Sequence, residues 1–254
     1  SASTAVAMID HSAHRVGIDL GTAAPNEALD VNGALSLKAQ SSTPSVAASY
    51  AKIYTDEVAD NATRLLMHCD GADNGTTFTD SSENNYTVTR YNAVTKTGVK
   101  KIGTASAYFD GAGDYLTVPQ EAGQFSATEN FTVELWVYMS SGGDAYQDVI
   151  NKQGASGNSG WAIGRYESSG GLDPRIYANI GDGTGSGFVP ILSGQLNYNT
   201  WYHVALVRNN GTNEMFIDGT SAGTNTQSYS DYQDLVYIGM ASTAAGGTAR
   251  EWKG

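Results

Sequence analysis

Residues 200–219 read TWYHVALVRNNGTNEMFIDG. Large side chains alternate through the first half. Trp201, His203, Ala205 and Val207 fall on one side of an extended chain, and Tyr202, Val204, Leu206 and Arg208 on the other. Alternation with period two is the pattern of a β-strand, because successive side chains leave opposite faces of the pleat. Both sides are largely apolar, which predicts a strand lying inside a sandwich. The NNGTN that follows supplies residues tolerant of positive φ, and EMFIDG then resumes the apolar run. The stretch predicts two antiparallel strands closed by a hairpin turn.

Working outward, the same texture extends over most of the chain. In FTVELWVYM, Phe131, Val133, Leu135 and Val137 share one face, and Thr132, Glu134, Trp136 and Tyr138 the other. RLLMHCDG, YTVTRYNA, SAYFDG, DYLTVP, DVINKQ, GWAIGRYE, RIYANIGD, FVPILSG and DLVYIGM read as further strands. DGAGD, SSGGD and GASGNSG punctuate them as turns, and no stretch carries a capped helical period. The chain has 254 residues, 30 of them Gly, well above the usual ~7%. Short strands, many turns and no helices predict an all-β sandwich or jelly roll. Every Trp and Phe lies beyond residue 65, so the core is expected there. Residues 1–60 have only Tyr50 and Tyr54 as aromatics. Ordering each residue costs ~1–2 kcal/mol of backbone entropy, so this segment is expected to be stable only by packing on copies of itself or on a partner.

The bulk numbers exclude several classes. Net charge is −12, from 14 basic and 26 acidic side chains, which argues against nucleic acid, since phosphate binding needs clustered Lys and Arg. No apolar run is long enough to span a bilayer, so no membrane insertion is expected. The single cysteine, Cys69, excludes an intrachain disulfide and reads as a small buried thiol in a strand. SASTAVAMID lacks the make-up of a signal peptide and an initiator Met, and the chain is expected to be a piece of something longer.

The order LLMHCDG, TTFTDSSENNYTV, GTASAYFDGAGDYLTVP, FTVELWVYM, TWYHVALVRNNGTNEMFIDG resembles the laminin-G-like, concanavalin-A-like jelly roll over residues 65–254. The resemblance implies that FTVELWVY and WYHVALVR are adjacent core strands, and that FDG and IDG are tight turns. Such domains continue past a segment like REWKG into a last strand, so residues 61–254 are expected to form a jelly roll lacking that strand. The front segment, MIDHSAHRVGIDLGTAAPNEALDVNGALSL, is similar to shaft segments of phage tail fibres, with Asp19 and Leu20 intruding in the usual turn. That resemblance implies a homotrimeric shaft or attachment segment over residues 1–60.

Candidate chemistry is sparse. Hydrolases of this fold need two carboxylates flanking the scissile bond, yet Glu134 has no second carboxylate on its strand and reads as solvent-facing. GASGNSG and GDGTGSG fit neither a nucleophile elbow nor a dinucleotide loop. The histidines His11, His14, His68 and His203 are scattered, and His203 reads as bonding a neighbouring strand or turn. No catalytic residue is assigned, the chain is expected not to be an enzyme, and no cofactor is required. The resemblance implies Ca²⁺ as the ion to look for, with Asp70, Asp73 and Asp80 in acidic turns as candidate ligands. The alternative is that these are Asx-turns binding their own backbone. Glycan recognition would use exposed aromatics, and Tyr146, Tyr166, Tyr229 and Tyr232 lie near loop-like segments.

The leading expectation is a structural protein of a phage tail fibre or other virion appendage. Its jelly roll would meet a host glycan or protein, and its shaft would meet other virion proteins. The alternative is a secreted or cell-surface bacterial adhesin, or the carbohydrate-binding module of a larger polysaccharide-degrading enzyme.

Overall fold

The computed structural model describes residues 62–154, 159–167, 173–184, 189–241 and 250–254 in full, and the backbone of residues 7–10, 15–18 and 29–31. The chain divides into two units, Ser1–Asp56 and Glu57–Gly254. In the first, β1 (Ala7–Asp10) pairs antiparallel with β2 (Arg15–Ile18), which pairs parallel with β3 (Leu29–Val31). The shaft-like winding of three copies, the connector after it, and His11 and His14 lie outside the described residues.

The second unit is a sandwich. Its strands are β4 (Thr89–Tyr91), β5 (Val94–Lys96), β6 (Ser106–Tyr108), β7 (Tyr115–Val118), β8 (Phe131–Tyr138), β9 (Tyr146–Gln153), β10 (Ser159–Glu167), β11 (Pro174–Asp182), β12 (Ile191–Leu192), β13 (Trp201–Asn209), β14 (Thr212–Ile217), β15 (Thr220–Asn225) and β16 (Val236–Ile238). One sheet runs β12-β11-β10-β9-β16-β7-β4, a second runs β15-β14-β13-β8, and β5 pairs with β6. Every pairing within this unit is antiparallel.

The predicted hairpin is present. β13 and β14 pair from Val204↔Ile217 to Asn209↔Thr212, leaving Asn210 and Gly211 as the turn, with φ of 48° and 83°. Two successive positive φ values give the mirror-image turn whose twist matches that of the strands. The predicted partner strand is also beside it, with Leu206 opposite Val133 and Val204 opposite Leu135. Leu206, Val204 and Met215 from this sheet meet Leu116, Trp161, Ile163 and Ile176 from the other in one buried cluster. Each buried side chain of this size contributes roughly 1.5–3 kcal/mol.

Arg208 ends the inner face of β13 and is buried. Its guanidinium donates to Asn213 Oδ1 at 2.7 Å and to the carbonyls of Gln227 and Ala127 at 3.1 and 3.3 Å. A charge in a core position is tolerable because the strand end brings three acceptors to it.

Two details differ from expectation. RLLMHCDG is extended but is not a strand. Leu65, Met67 and Cys69 turn inward while Leu66, His68 and Asp70 are exposed. Its backbone is held by side chains and single bonds, such as Leu66 N–H to Asp80 and Ser81 N–H to the Leu66 carbonyl, instead of a ladder. Alternation reports which side is buried; it does not report a hydrogen-bonding neighbour. Conversely, TSAGTN forms β15 although it has no apolar pattern. The turn at Asp218 and Gly219, with φ of 49° and 77°, folds it back on β14.

Candidate functional site

Strand alternation fixes what each face of the seven-stranded sheet carries. Leu116, Trp161, Ile163, Ile176 and Ala178 go to the core. The opposite side chains line the outer face, and through the ladder they fall in register: Tyr91 against Tyr115, Thr117 against Tyr237, Tyr237 against Asn151, Asn151 against Ala162, and Ala162 against Asn179. Tyr146 faces Tyr166 on the same side. The result is a face of tyrosines and amides.

The rings on this face form two groups. Tyr91 stacks on Tyr115 at 4.2 Å, and Tyr115 lies 6.4 Å from Tyr237. Tyr146 lies 4.7 Å from Tyr166 and meets Tyr177 edge-on at 6.0 Å. Tyr146 is the more open of the predicted pair, at 48% exposure. The Arg250 guanidinium sits 5.6 Å from its ring centre, a cation–π arrangement.

Asp148 sits at the centre of the second group and is fully buried. Its Oδ1 accepts the hydroxyl of Tyr177, which has to cross β10 to reach β9. Gly164 permits that crossing, since a Cβ there would stand 2.6 Å from both Cζ and Oη of Tyr177. The Arg250 guanidinium is 3.9 Å away, and the Asp148 N–H donates to the Arg250 carbonyl at 3.1 Å. Burial pushes the Asp148 carboxyl up to about 7 despite the nearby cation.

Among the described residues, Asp148 Oδ2, Gln153 Nε2 and Asn179 Oδ1 on this face are buried without a hydrogen-bond partner, as are Arg165 Nε and Asp173 Oδ1 elsewhere. Gln153 is 3% and Asn179 8% exposed. A buried polar group without a partner costs ~1–3 kcal/mol, so each of these atoms calls for a partner such as water or a ligand hydroxyl. A carboxyl, amide donors and acceptors, and flat apolar rings are what a polyhydroxylated ring uses: hydroxyls bond the polar groups and C–H faces lie on the tyrosines.

Buried ion pairs hold the ends of these strands. Arg165 donates to the carbonyls of Ser140 and Gly142 at 2.5 and 2.7 Å and pairs with Glu167 at 2.9 Å. This fixes the turn that leads into Tyr146. Glu167 also accepts the hydroxyl of Tyr198, which burial and that carboxylate push up to about 12. At the other end of β9, Lys152 pairs with Asp231 at 2.6 Å and donates to the Tyr232 carbonyl.

The predicted residues therefore separate. Tyr146 and Tyr166 come together on the outer face. Tyr229 does not join them and is not exposed: it is buried, packs against Phe125 and Phe131, and donates to Asp231 at 2.6 Å. Tyr232 lies with its ring against Gly154, at the far end of β9 from Tyr146. Asp80 is buried, and its two oxygens accept from Leu66 N–H, Ser82 N–H, the Ser82 hydroxyl and Tyr86 N–H. That set engages both carboxylate oxygens, the Asx-turn alternative drawn from the sequence. Asp70 accepts twice from Thr104, and Asp73 from Thr97 and Asn74. Among the described residues no three His, Cys, Asp or Glu side chains gather in one place.

Glu134 is exposed on the other sheet, 3.6 Å from His203. The His203 ring also packs on Trp136, while it is the His203 backbone N–H that donates to Asp218 Oδ1 at 2.8 Å and joins strand to turn. Cys69 is half-buried at a φ of 56°, outside any strand, and burial pushes its thiol up to about 11. Sequence reasoning missed Asp148, Asn151, Gln153, Tyr177 and Asn179. The available signal was polar and Tyr side chains alternating with aliphatic ones in strands otherwise apolar enough to be buried.

Among solved structures, the chain is similar to domain 4 of AbnA, a GH43 extracellular arabinanase from Geobacillus stearothermophilus, in complex with arabinotriose. Identity is 18% over 69% of this chain and 81% of that one, with a TM-score of 0.48. Domains LG4-5 of the mouse laminin alpha1 chain match at 14% identity over 58% of this chain and 38% of that one, TM-score 0.41. LamAcat from Zobellia galactanivorans matches at 13% over 69% and 74%, TM-score 0.29. No curated protein matches the sequence. The laminin G domain family described as the concanavalin A-like lectin/glucanases superfamily matches residues 109–254, more than half of the chain. With the antiparallel sandwich and its hairpin in place, the chain belongs to the concanavalin A-like lectin/glucanase superfamily.

Proposed function

We propose that the sandwich is a carbohydrate-recognition module, and that the outer face of β9, β10 and β11 is where the glycan lies. The observation that carries this reading is the trio of unpartnered buried polar atoms on Asp148, Gln153 and Asn179 beside the paired rings of Tyr146 and Tyr166. The family description, lectins and glucanases, supports the ligand class. Binding without turnover is the reading favoured. Among the described residues of these strands Asp148 is the one carboxylate on this face, whereas glycoside hydrolysis uses two.

Two settings suit such a module. The likeness of residues 1–60 to a tail-fibre shaft supports a trimeric virion appendage that presents the sandwich to a host surface. A module of an adhesin or of a polysaccharide-degrading enzyme would use the same face, and the neighbouring coding sequence discriminates the two.

The test of the glycan face is titration calorimetry against neutral oligosaccharides, arabinotriose included. Tyr146→Ala and Tyr166→Ala are each expected to weaken binding by about 1 kcal/mol, roughly fivefold. Glu134→Gln, on the other sheet, should leave it unchanged. Equal binding by all three variants and the parent would remove this face from consideration.

A further inference from the structure

Among the arginines whose side chains are described, one stands apart. Arg64 donates to Glu129, Arg90 to the Ala93 carbonyl, Arg165 to the carbonyls of Ser140 and Gly142, Arg175 to Asp173, and Arg208 to Asn213. The Arg250 guanidinium makes no hydrogen bond among the described residues. It lies 5.6 Å from the centre of the Tyr146 ring and 3.9 Å from Asp148 Oδ1, and its side chain is 42% exposed.

Asp148 is a poor counter-ion for it. The carboxyl is buried, its Oδ1 already accepts the Tyr177 hydroxyl, and the residue opposite it on β10 is Gly164, which brings no charge. Burial pushes this carboxyl up to about 7, so below that pH it is largely neutral. A separation of 3.9 Å is also beyond hydrogen-bond reach. Arg175, opposite Tyr166 in the ladder, is already closed by Asp173 at 2.9 and 3.1 Å. Among the described residues, Arg250 is therefore the cation beside Tyr146 and Tyr166 that lacks a bonded anion. That is unusual in a chain whose 26 acidic side chains outnumber 14 basic ones.

A guanidinium holds its donors in a planar fork that matches a carboxylate through two parallel bonds. The rings of Tyr146 and Tyr166, with centres 4.7 Å apart, offer faces for the C–H side of a sugar. A uronic acid carries both features on one ring. We propose that the glycan of this face is acidic, with a uronic acid residue lying against Tyr146 and Tyr166 and its carboxylate on Arg250. The proposal rests on the glycan-face reading above and adds the charge of the ligand. The net charge of −12 opposes a polyanion at long range, but at physiological salt exposed charges more than ~8 Å away are largely screened. The local cation then decides the contact.

The test compares each acid with its own methyl ester, which keeps the sugar ring and removes the charge. Trimers of galacturonate, glucuronate and mannuronate, and their methyl esters, are titrated calorimetrically into the full chain at about pH 6 and about 0.15 M salt. At least one acid is expected to bind on the order of tenfold more tightly than its ester. Arg250→Gln should bring that acid down to the level of its ester, with Trp emission reporting an intact sandwich. Tyr146→Ala should weaken acid and ester alike. Absence of an acid preference in all three pairs overturns the acidic ligand, and the neutral sugars of the preceding test then decide the glycan face by themselves. An acid preference that survives Arg250→Gln overturns it too. So does an oligoglutamate peptide bound as tightly as the best uronate, since it shares the charge and lacks the sugar. A Tyr146→Ala variant that binds acid and ester as the parent does would remove the face, and the proposal with it.

Discussion

At the scale of single residues, Asp148 concentrates the tension in this fold. It is a carboxyl buried between Tyr177 and Arg250, with one oxygen unmatched. In the unfolded chain it would lose its proton near pH 4, but in the folded chain it holds it to about 7. Between those values the folded state binds more protons than the unfolded one, so stability falls as pH rises, by up to about 1.4 kcal/mol per pH unit. Asp114, raised chiefly by burial, acts in the same direction. Asp70 and Asp182, lowered by backbone and hydroxyl donors, act oppositely, and their contribution is lost only as pH falls below the ordinary carboxylate range. Asp148→Asn is therefore expected to flatten the profile between pH 4 and pH 7 and to be more stable than the parent at pH 8. Urea midpoints measured across that range check it, and an unchanged slope in the variant would count against a buried, protonated Asp148.

At the scale of elements, the hairpin of β13 and β14 is the part most fully legible in the sequence. The reason is that each of its determinants is local: alternation gives the strands, and Asn210-Gly211 gives the turn. The mirror-image turn needs positive φ at both residues, and nothing lies within 4 Å of a Cβ placed on Gly211. Gly211→Ala should thus cost only backbone strain, roughly 1 kcal/mol, or about 2–4 °C in Tm for a unit of this size. Gly194 has equally open surroundings and no positive φ, so Gly194→Ala should leave Tm within error. A thermal melt of the two separates conformational strain from packing. β15 and the tyrosine face were not legible in the same way. TSAGTN becomes a strand because a turn delivers it to β14, and Asp148 meets Tyr177 because β9, β10 and β11 are neighbours with Gly164 between them. Such placements are set by pairing across the sheet. Local periodicity carries no record of them. The same gap explains Tyr229, whose position beside a loop suggested exposure while Phe125 and Phe131 enclose it.

At the scale of the whole molecule, the two units differ in what can hold them together. The sandwich unites a buried cluster drawn from both sheets, and all four Trp lie in it or on it. Residues 1–60 contain no Trp or Phe, and a segment with few large apolar side chains has little burial to set against its own ordering entropy. Glu57–Gly254 is therefore expected to unfold at the same urea midpoint with or without Ser1–Asp56, followed by Trp emission. Oligomeric state should respond differently. If the front segment assembles three copies, light scattering reports a trimer for the full chain and a monomer for the truncated one, at equal sandwich stability. A monomer in both cases would leave the glycan-binding reading intact and remove the trimeric appendage. A trimer in both would place the contact in the sandwich itself, where the unpaired edge of β8 is the first surface to probe.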